Sequence, residues 1–369
     1  MAYSLPSPTR SDLEFSTSEL AGALGDSVTV LPLLVALAAT TTVSLPHVLV
    51  GFGVFQIVWG LYYGLPLSVE PMKALIGLAI VGTLSYAELA AAGLLAGVVL
   101  LGVGSLGLVG YLQRVVGEPV IRGVQLAVAL LLFEAAVDLS VGAPGVAAAG
   151  LAVVGALALA GYRQSSVLVV LALGGVAAVL AAGVPTPRVP AAELFPAGAP
   201  TLSAAAIEGT VAQLGMTVGN AAIATALLCG DLYDQDISAD KLSQSMGVTC
   251  LAAIPFGGVP MCHGSGGLAG KYAFGARTAG ANVLLGLGYV ALALVATGAL
   301  LAAFPVALLG VLLVVVAIEL GRAAFAPISA ADTRALCLVV GVGVVGLAVN
   351  VGVAFVLGAV AFWLLSRYA

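Results

Sequence analysis

The polar segment 257–277 holds the residues whose types and spacing are best suited to chemistry. It reads Gly-Gly-Val-Pro-Met-Cys-His-Gly-Ser-Gly-Gly-Leu-Ala-Gly-Lys-Tyr-Ala-Phe-Gly-Ala-Arg, within a chain that is otherwise almost continuously apolar. Irregular backbone at membrane depth is tolerated only where it is buried in protein or lines a cavity. Free amides at the start of a broken helix favour anions. The segment therefore predicts half of an anion site.

Segment 64–73, Gly-Leu-Pro-Leu-Ser-Val-Glu-Pro-Met-Lys, has the same design, with Gly-x-Pro ahead of a short helix. Pro71 suits a first helical turn, which places Glu70 near the N-cap. Ser265 is the candidate cap in the other segment. Two opposed half-helices would direct their positive ends at the bilayer midplane, where an anion binds. The alternative is that the glycines only allow tight helix packing.

Four side chains near these segments could carry a charge or a proton. Lys73 starts an apolar helix, and a buried cation is costly and usually functional, although snorkelling or an ion pair with Glu70 is the alternative. Asp26, in the first apolar helix, is a candidate proton or cation site. Glu70 could accept a proton or only cap its helix. A lone histidine such as His263 is more often a satisfied hydrogen-bonding group than a ligand.

Composition indicates a polytopic membrane protein. Hydrophobic residues make up 62% of the 369 residues and charged residues 8%, whereas soluble domains carry roughly 25% charged residues. The mean hydropathy is +1.19. A span needs about 20 apolar residues, so the chain has room for roughly 14 spans. The polar residues 1–18 are interpreted as a short cytoplasmic tail and not as a signal peptide.

The apolar runs divide into two sets of seven, separated by a Pro-rich linker at 184–204. At an offset of 194, Glu19 matches Gln213 and Asp26 matches Asn220. Seven spans is an odd number, so the second set must be inverted, as in many secondary transporters. The predicted helices are 20–42, 47–64, 71–84, 87–104, 118–137, 144–161, 165–183, 205–229, 238–256, 265–274, 278–300, 304–322, 332–349 and 351–366.

The basic residues favour one orientation of these spans. With both termini cytoplasmic, nearly all of them fall at cytoplasmic ends, in agreement with the positive-inside rule. Arg188, in the linker, is the clear exception, which makes the linker extracellular. The residues at cytoplasmic ends are Arg10, Arg114, Arg163, Lys241, Arg277, Arg322, Arg334 and Arg367.

Other chemistry finds little support. The four cysteines form no Cys-x-x-Cys pair, and His47 and His263 lie in distant segments, so no metal site and no cofactor are predicted. No set of nucleophile, base and orienting residue indicates an enzyme, and nothing indicates nucleic-acid binding. Glu134 and Glu319 are expected to be packing or gating groups.

Several motifs together resemble the molybdate transporter family, which is related to the SulP sulfate permeases. The most specific is the run from Cys262 to Gly270 followed by Phe274-Gly-Ala-Arg277. The others are Gly25-Asp26 with a later Leu-Pro-Leu, Pro71-Met-Lys73 and Arg122-Gly-Val-Gln125. Glu70 departs from the family, in which Gln is usual before Pro-Met-Lys. An acidic group there repels an oxyanion unless it is protonated or paired with Lys73.

The resemblance implies an all-α fold of about 14 transmembrane helices, a 7+7 inverted repeat in which half-helices 3 and 10 are broken at the midplane. Core helices would lie within 19–116 and 205–300, and gate helices within 117–183 and 301–369. The family pattern points to Pro71, Met72, Lys73, His263, Gly264, Ser265, Gly266 and Gly267 as substrate-binding residues. The residues themselves add Glu70, and Asn220 through its repeat position, to the predicted substrate-binding set. Asp26 and Glu70 are the predicted proton-coupling residues.

The expected function is secondary active transport of a tetrahedral oxyanion, molybdate first and sulfate next, by proton-coupled alternating access in the plasma membrane. A nucleobase permease of the same fold and a passive anion channel are the alternatives. The expected partners are the oxyanion, protons and the lipid bilayer. The sequence leaves the oligomeric state open, with a homodimer among the options.

Overall fold

The computed structural model describes residues 13–367, and each of the fourteen predicted segments contains a helix. The first twelve residues of the predicted tail 1–18 lie outside the described part. The α-helices of the first half are α1 (Thr17–Thr40), α2 (Leu45–Tyr63), α3 (Lys73–Ile80), α4 (Tyr86–Ser105), α5 (Val109–Val116), α6 (Glu118–Val141), α7 (Pro144–Leu159) and α8 (Arg163–Ala182).

The second half begins after a segment, 183–203, that forms neither helix nor strand. Its first span is a long helix whose middle, Thr217–Ile223, is π-helical. The α-helices of this half are α9 (Ala204–Met216), α10 (Ala224–Tyr233), α11 (Ala239–Ala253), α12 (Ser265–Ala273), α13 (Gly280–Val295), α14 (Gly298–Ala303), α15 (Val306–Phe325), α16 (Thr333–Ala348) and α17 (Val351–Arg367).

The described helices are those of a multi-pass membrane protein. Seven of them are long and apolar enough to cross a membrane, counting α9, the π-helical turns and α10 as one continuous helix, Ala204–Tyr233. Four shorter apolar helices, α7, α13, α16 and α17, accompany them. The predicted all-α polytopic architecture is therefore confirmed.

Two short strands precede the two short helices α3 and α12. Strand β1 (Val69–Pro71) pairs antiparallel with β2 (Met261–His263), and Val69 lies opposite His263. These two positions are 194 residues apart, which is the offset of the repeat. The ribbon is extended at both ends by backbone bonds from Met72 N to Pro260 O (2.9 Å) and from Gly264 N to Ser68 O (3.3 Å).

The start of each half-helix differs from the prediction. Pro71 lies in β1 and not in a first helical turn, because the pairing with Met261 keeps it extended. Helix α3 therefore begins at Lys73, with Met72 at the N-cap. In the second half-helix Gly264 occupies the N-cap and Ser265 is the first helical residue, so Ser265 is not the cap.

Helices of one half pair with helices of the other. Helix α2 packs against α13, α4 packs against α11, and α6 packs against both α15 and α16. The α2–α13 and α4–α11 pairs exchange under the repeat, as an inverted 7+7 arrangement requires. Residues 74–80 of α3 are all buried. The burial of α3 permits the interrupted backbone before it, since irregular backbone at membrane depth is tolerated where it is buried in protein.

Two elements fall outside the predicted set. Helix α5, with Arg114 in its last turn, is a short amphipathic helix that the apolar-run criterion does not detect. The predicted helix 278–300 divides into α13 and α14, since Thr297 caps a new helix through its bond from Leu300 N.

Candidate functional site

A cavity of about 700 Å³ lies where the two half-helices face α6, α8 and α15. It is lined by nine of the ten predicted substrate-binding residues. Met72 is the tenth, and it is fully buried instead. The nine are Glu70, Pro71, Lys73, Asn220, His263, Gly264, Ser265, Gly266 and Gly267.

The Glu70 carboxylate connects the two half-helices. Its Oε2 lies 2.6 Å from the Nζ atom of Lys73. Its Oε1 accepts a hydrogen bond of 2.9 Å from the backbone N of Gly267. A cap of its own helix was one of the two roles predicted for Glu70, and in the structure Glu70 instead caps the opposite half-helix, α12. Two glycines make this approach possible, because a Cβ atom at Gly264 or Gly267 would collide with the Glu70 side chain.

The first amides of α3 are occupied by another side chain. Gln213 Oε1 accepts from Ala74 N (2.9 Å) and Leu75 N (3.4 Å). No site role is predicted for Gln213 from the sequence. Its repeat partner Glu19 also accepts from backbone amides, but at a different helix. Glu19 accepts from the backbone N atoms of Arg277, Thr278 and Ala281 around the start of α13.

The start of α12 is the open one. The first amides of an α-helix have no acceptor within the helix. At the start of α12, the amide of Gly267 donates to Glu70. The two preceding residues line the cavity, where Ser265 is partly exposed and Gly266 is exposed. Two open half-helix ends were predicted, and the structure has one, at the start of α12. At the start of α3 the cavity is lined by the Lys73 side chain instead.

Asp26 lies behind the cavity wall and not on it. Its Oδ2 is 3.1 Å from the Nζ atom of Lys271, and both side chains are completely buried. Ser68 donates to Asp26 Oδ1 at 2.6 Å, and Gln56 donates to Oδ2 at 3.1 Å. Lys271 also donates to Asn282 Oδ1 at 2.6 Å. This network was not predicted, because Lys271 and Asp26 are far apart in the sequence.

His263 has partners at both ring nitrogens. Its Nε2 lies 2.7 Å from Ser245 Oγ, and its Nδ1 lies 3.3 Å from the carbonyl oxygen of Ser68. The rings of Trp59 and Tyr63 meet the imidazole edge-on. The histidine is thus held in one orientation at the cavity wall.

The opposite wall supplies a cation from α6. Arg122 donates to Gln125 Oε1 (3.2 Å) and to Glu118 Oε1 (3.1 Å). Its Nε atom is buried and has no hydrogen-bond partner. Asn220, on the π-helical segment, donates to the same Gln125 oxygen at 3.3 Å. Sequence reasoning noted Arg122 only within a motif and gave it no role.

A second ion pair joins the helices of this wall. Arg163 at the start of α8 pairs with Glu319 on α15, and both line the cavity. Both side chains remain nearly half exposed. Glu134, the other acidic residue expected to pack or gate, is exposed on α6.

Comparisons with known proteins agree with this architecture. A family model described as "Molybdate transporter of MFS superfamily" matches residues 18–132 and 205–320, one stretch in each half. Molybdate transporter 2 of Arabidopsis thaliana is 29% identical over 371 residues, covering 83% of this chain and 78% of the relative.

Solved structures share the fold at low sequence identity. The transmembrane domain of a cyanobacterium bicarbonate transporter, BicA, superposes with a TM-score of 0.66 and 20% identity, covering 93% of this chain and 97% of that one. The murine anion transporter Slc26a9 in its inward-facing state gives a TM-score of 0.67 and 13% identity, with coverage of 99% and 69%.

These likenesses show the 7+7 inverted-repeat fold of anion transporters, and the family consists of transporters, not enzymes. The expected fold and the expected class of protein are both confirmed. By its matched residues, this chain belongs to the molybdate transporter family.

Proposed function

We propose that the chain is a secondary transporter of a tetrahedral oxyanion, with molybdate the first candidate and sulfate the second. The observation that carries this proposal is the cavity wall where Lys73 meets the open start of α12. An ammonium group and backbone amides together can hold an oxyanion. Arg122 on the opposite wall adds a guanidinium whose Nε atom has no partner. The names of the family and of its Arabidopsis relative favour molybdate.

Transport would proceed by alternating access with proton coupling. The residues that line the cavity come from both the proposed core segments, 19–116 and 205–300, and the proposed gate segments, 117–183 and 301–369. We propose that relative movement of core and gate exposes the cavity to either side. Uptake of a dianion against an inside-negative potential costs about 2.3 kcal/mol per charge per 100 mV. Co-transported protons offset this cost. Asp26 and Glu70 are the candidate carriers.

We propose from the distribution of basic residues that both termini are cytoplasmic and that the linker 184–204 lies outside. The plasma membrane is proposed with the uptake function and not from the charges. In this orientation Arg163 and Glu319 lie at the cytoplasmic end of the cavity, so the structure would be open to the cytoplasm.

A nucleobase permease is the second candidate, and Glu70 is the observation that favours it, because a carboxylate can hydrogen-bond a planar ring. The Glu70 oxygens are, however, bound to Lys73 and Gly267 N. This engagement makes the oxyanion the better candidate.

The test is calorimetric binding of molybdate, tungstate and sulfate to the purified protein, with uracil as the control ligand. We expect the oxyanions to bind and uracil not to bind. Binding of uracil alone would replace the oxyanion proposal with the nucleobase one. In proteoliposomes, accumulation of molybdate above electrochemical equilibrium would exclude a passive channel.

Lys73→Ala tests the site itself. Hydrogen bonds to charged groups contribute about 1.5–3 kcal/mol, so molybdate affinity should fall roughly ten- to a hundredfold. Lys241→Ala, which removes an exposed lysine at the start of α11, is the matched control and should bind normally. Unchanged affinity of the Lys73 variant would remove that residue from the site.

A further inference from the structure

We propose that the Glu70 carboxylate occupies the place of the oxyanion in the empty transporter, and that it must take up a proton before substrate can bind. This inference rests on the function proposed above. The carboxylate holds two donors that a bound oxyanion would use, the Lys73 ammonium at 2.6 Å and the Gly267 amide at 2.9 Å. Each carboxylate oxygen engages one donor.

The surroundings of the carboxylate are shaped to receive an anion. Glu70 is only 2% exposed, although it lies on the cavity wall. The backbone of α12 reaches it through Gly264 and Gly267, where any Cβ atom would overlap the Glu70 side chain. A negatively charged group is thereby held against the open start of a helix, which is where an anion is stabilised.

The charges on the cavity wall support the exchange. Among the described residues that line it, three are basic, Lys73, Arg122 and Arg163, and two are acidic, Glu70 and Glu319. The formal balance is +1 with Glu70 ionised and +2 with Glu70 protonated. Only the protonated state matches the charge of a dianion. An ionised Glu70 beside a dianion would add like-charge repulsion.

The other titratable groups near Glu70 are already engaged or poorly placed. Asp26 receives bonds from Ser68, Gln56 and Lys271, so protonation would cost it those partners. His263 is bonded at both nitrogens. The groups that face Glu70 from the neighbouring elements are Asp26 of α1, Lys73 of α3, Arg122 of α6, Cys262 and His263 of β2, Lys271 of α12 and Tyr289 of α13.

In the proposed cycle one proton is carried with each dianion. A proton enters from the solution in the cavity and binds a Glu70 oxygen, which weakens the bond to Lys73. Lys73 and the start of α12 then bind the oxyanion. When the oxyanion leaves, the proton leaves Glu70, and the carboxylate pairs with Lys73 again. One negative charge moves in each turnover.

The test measures molybdate binding to the full-length protein between about pH 6 and about pH 8. In this range molybdate remains a dianion, so the protonation of Glu70 is what the experiment varies. Uptake of one proton on binding predicts that affinity falls by up to about tenfold per pH unit as the pH rises. Glu70→Gln should bind tightly at both ends of this range, with no such slope. Glu134→Gln, the same change at an exposed carboxyl of α6, should keep the wild-type slope.

A measurement on the unaltered protein guards against misfolding of the variant. The heat of molybdate binding, compared in two buffers that differ in ionisation enthalpy, counts the protons taken up, and we expect up to one per molybdate. Binding without proton uptake, or a Glu70→Gln variant that keeps the slope, would overturn this inference and leave the oxyanion function standing. Absence of oxyanion binding at every pH, in the wild type and in Glu70→Gln, would instead overturn the proposed function.

Discussion

Asp26 and Lys271 form a fully buried ion pair, with 3.1 Å between Oδ2 and Nζ, that ties α1 to half-helix α12. The pair lies directly behind the cavity, because a Cβ atom at Gly267 would overlap the Asp26 carboxylate. The position of α12 at the site therefore depends on a charge interaction that the cavity itself does not contain.

Removing either partner of this pair should destabilise the protein strongly. Asp26→Asn or Lys271→Met leaves one buried charge without its partner, which costs roughly 3–5 kcal/mol. The double variant should recover roughly 1–3 kcal/mol of the summed loss. Thermal unfolding of the detergent-solubilised protein measures all three. Strictly additive losses would show that the two charges do not stabilise each other.

Gly267→Ala should abolish molybdate binding and lower the unfolding temperature. The added methyl group would collide with Asp26, Ser68 and Glu70. The matched control is Gly270→Ala, one turn later in α12, where a Cβ atom meets nothing within 4 Å. Since alanine is about 1 kcal/mol better than glycine in a helix, the control should be as stable as the wild type or more so. Equal tolerance of both changes would contradict the close packing around Gly267.

Arg122→Lys should weaken molybdate binding by about tenfold, or roughly 1.4 kcal/mol. The change keeps the charge and removes the planar fork, including the buried Nε atom that has no protein partner. Calorimetric titration with molybdate measures the affinity of this variant. The control is Arg334→Lys, which makes the same change at an exposed arginine at the start of α16. We expect the Arg334 variant to bind as the wild type does. If the two variants bind alike, Arg122 has no contact with the substrate.

The proposed orientation can be checked by cysteine labelling. Ser165 lies near the start of α8, where it is exposed and lines the cavity. Ala191 is exposed in the linker. In a background without Cys262 and Cys337, Ser165→Cys should react with a membrane-impermeant maleimide in inside-out vesicles. Ala191→Cys should react in right-side-out vesicles. The reverse pattern would mean that the topology is inverted.

Local sequence features predicted the cavity side chains that belong to the broken segments. The Gly-x-Pro pairs and the glycine run placed Lys73, Glu70 and Ser265 near one another, because each lies at an interruption in an apolar run. The short strands escaped detection, since three extended residues have no periodicity. One of their three pairs, Val69 with His263, nevertheless lies at the repeat offset.

The contacts between distant segments were not predictable in the same way. A cap of its own helix was one of the two roles predicted for Glu70, because a cap is a local relationship. The hydrogen bond that Glu70 accepts from Gly267 N depends instead on how the two halves pack together. Lys271 is separated from Asp26 by most of the chain, so no local pattern pairs the two residues. Gln213 lies in α9, whereas the amides that donate to it belong to α3, so no local pattern indicates this cap either.

The ribbon formed by β1 and β2 limits how the two half-helices can move. Separating α3 from α12 would break main-chain hydrogen bonds, including the one from Met72 N to Pro260 O, and unpaired main-chain groups are costly within a membrane. The two half-helices are therefore expected to move as one unit. Under the alternating access proposed above, the surrounding helices would move past this unit, and the spacing between the two half-helices would stay constant.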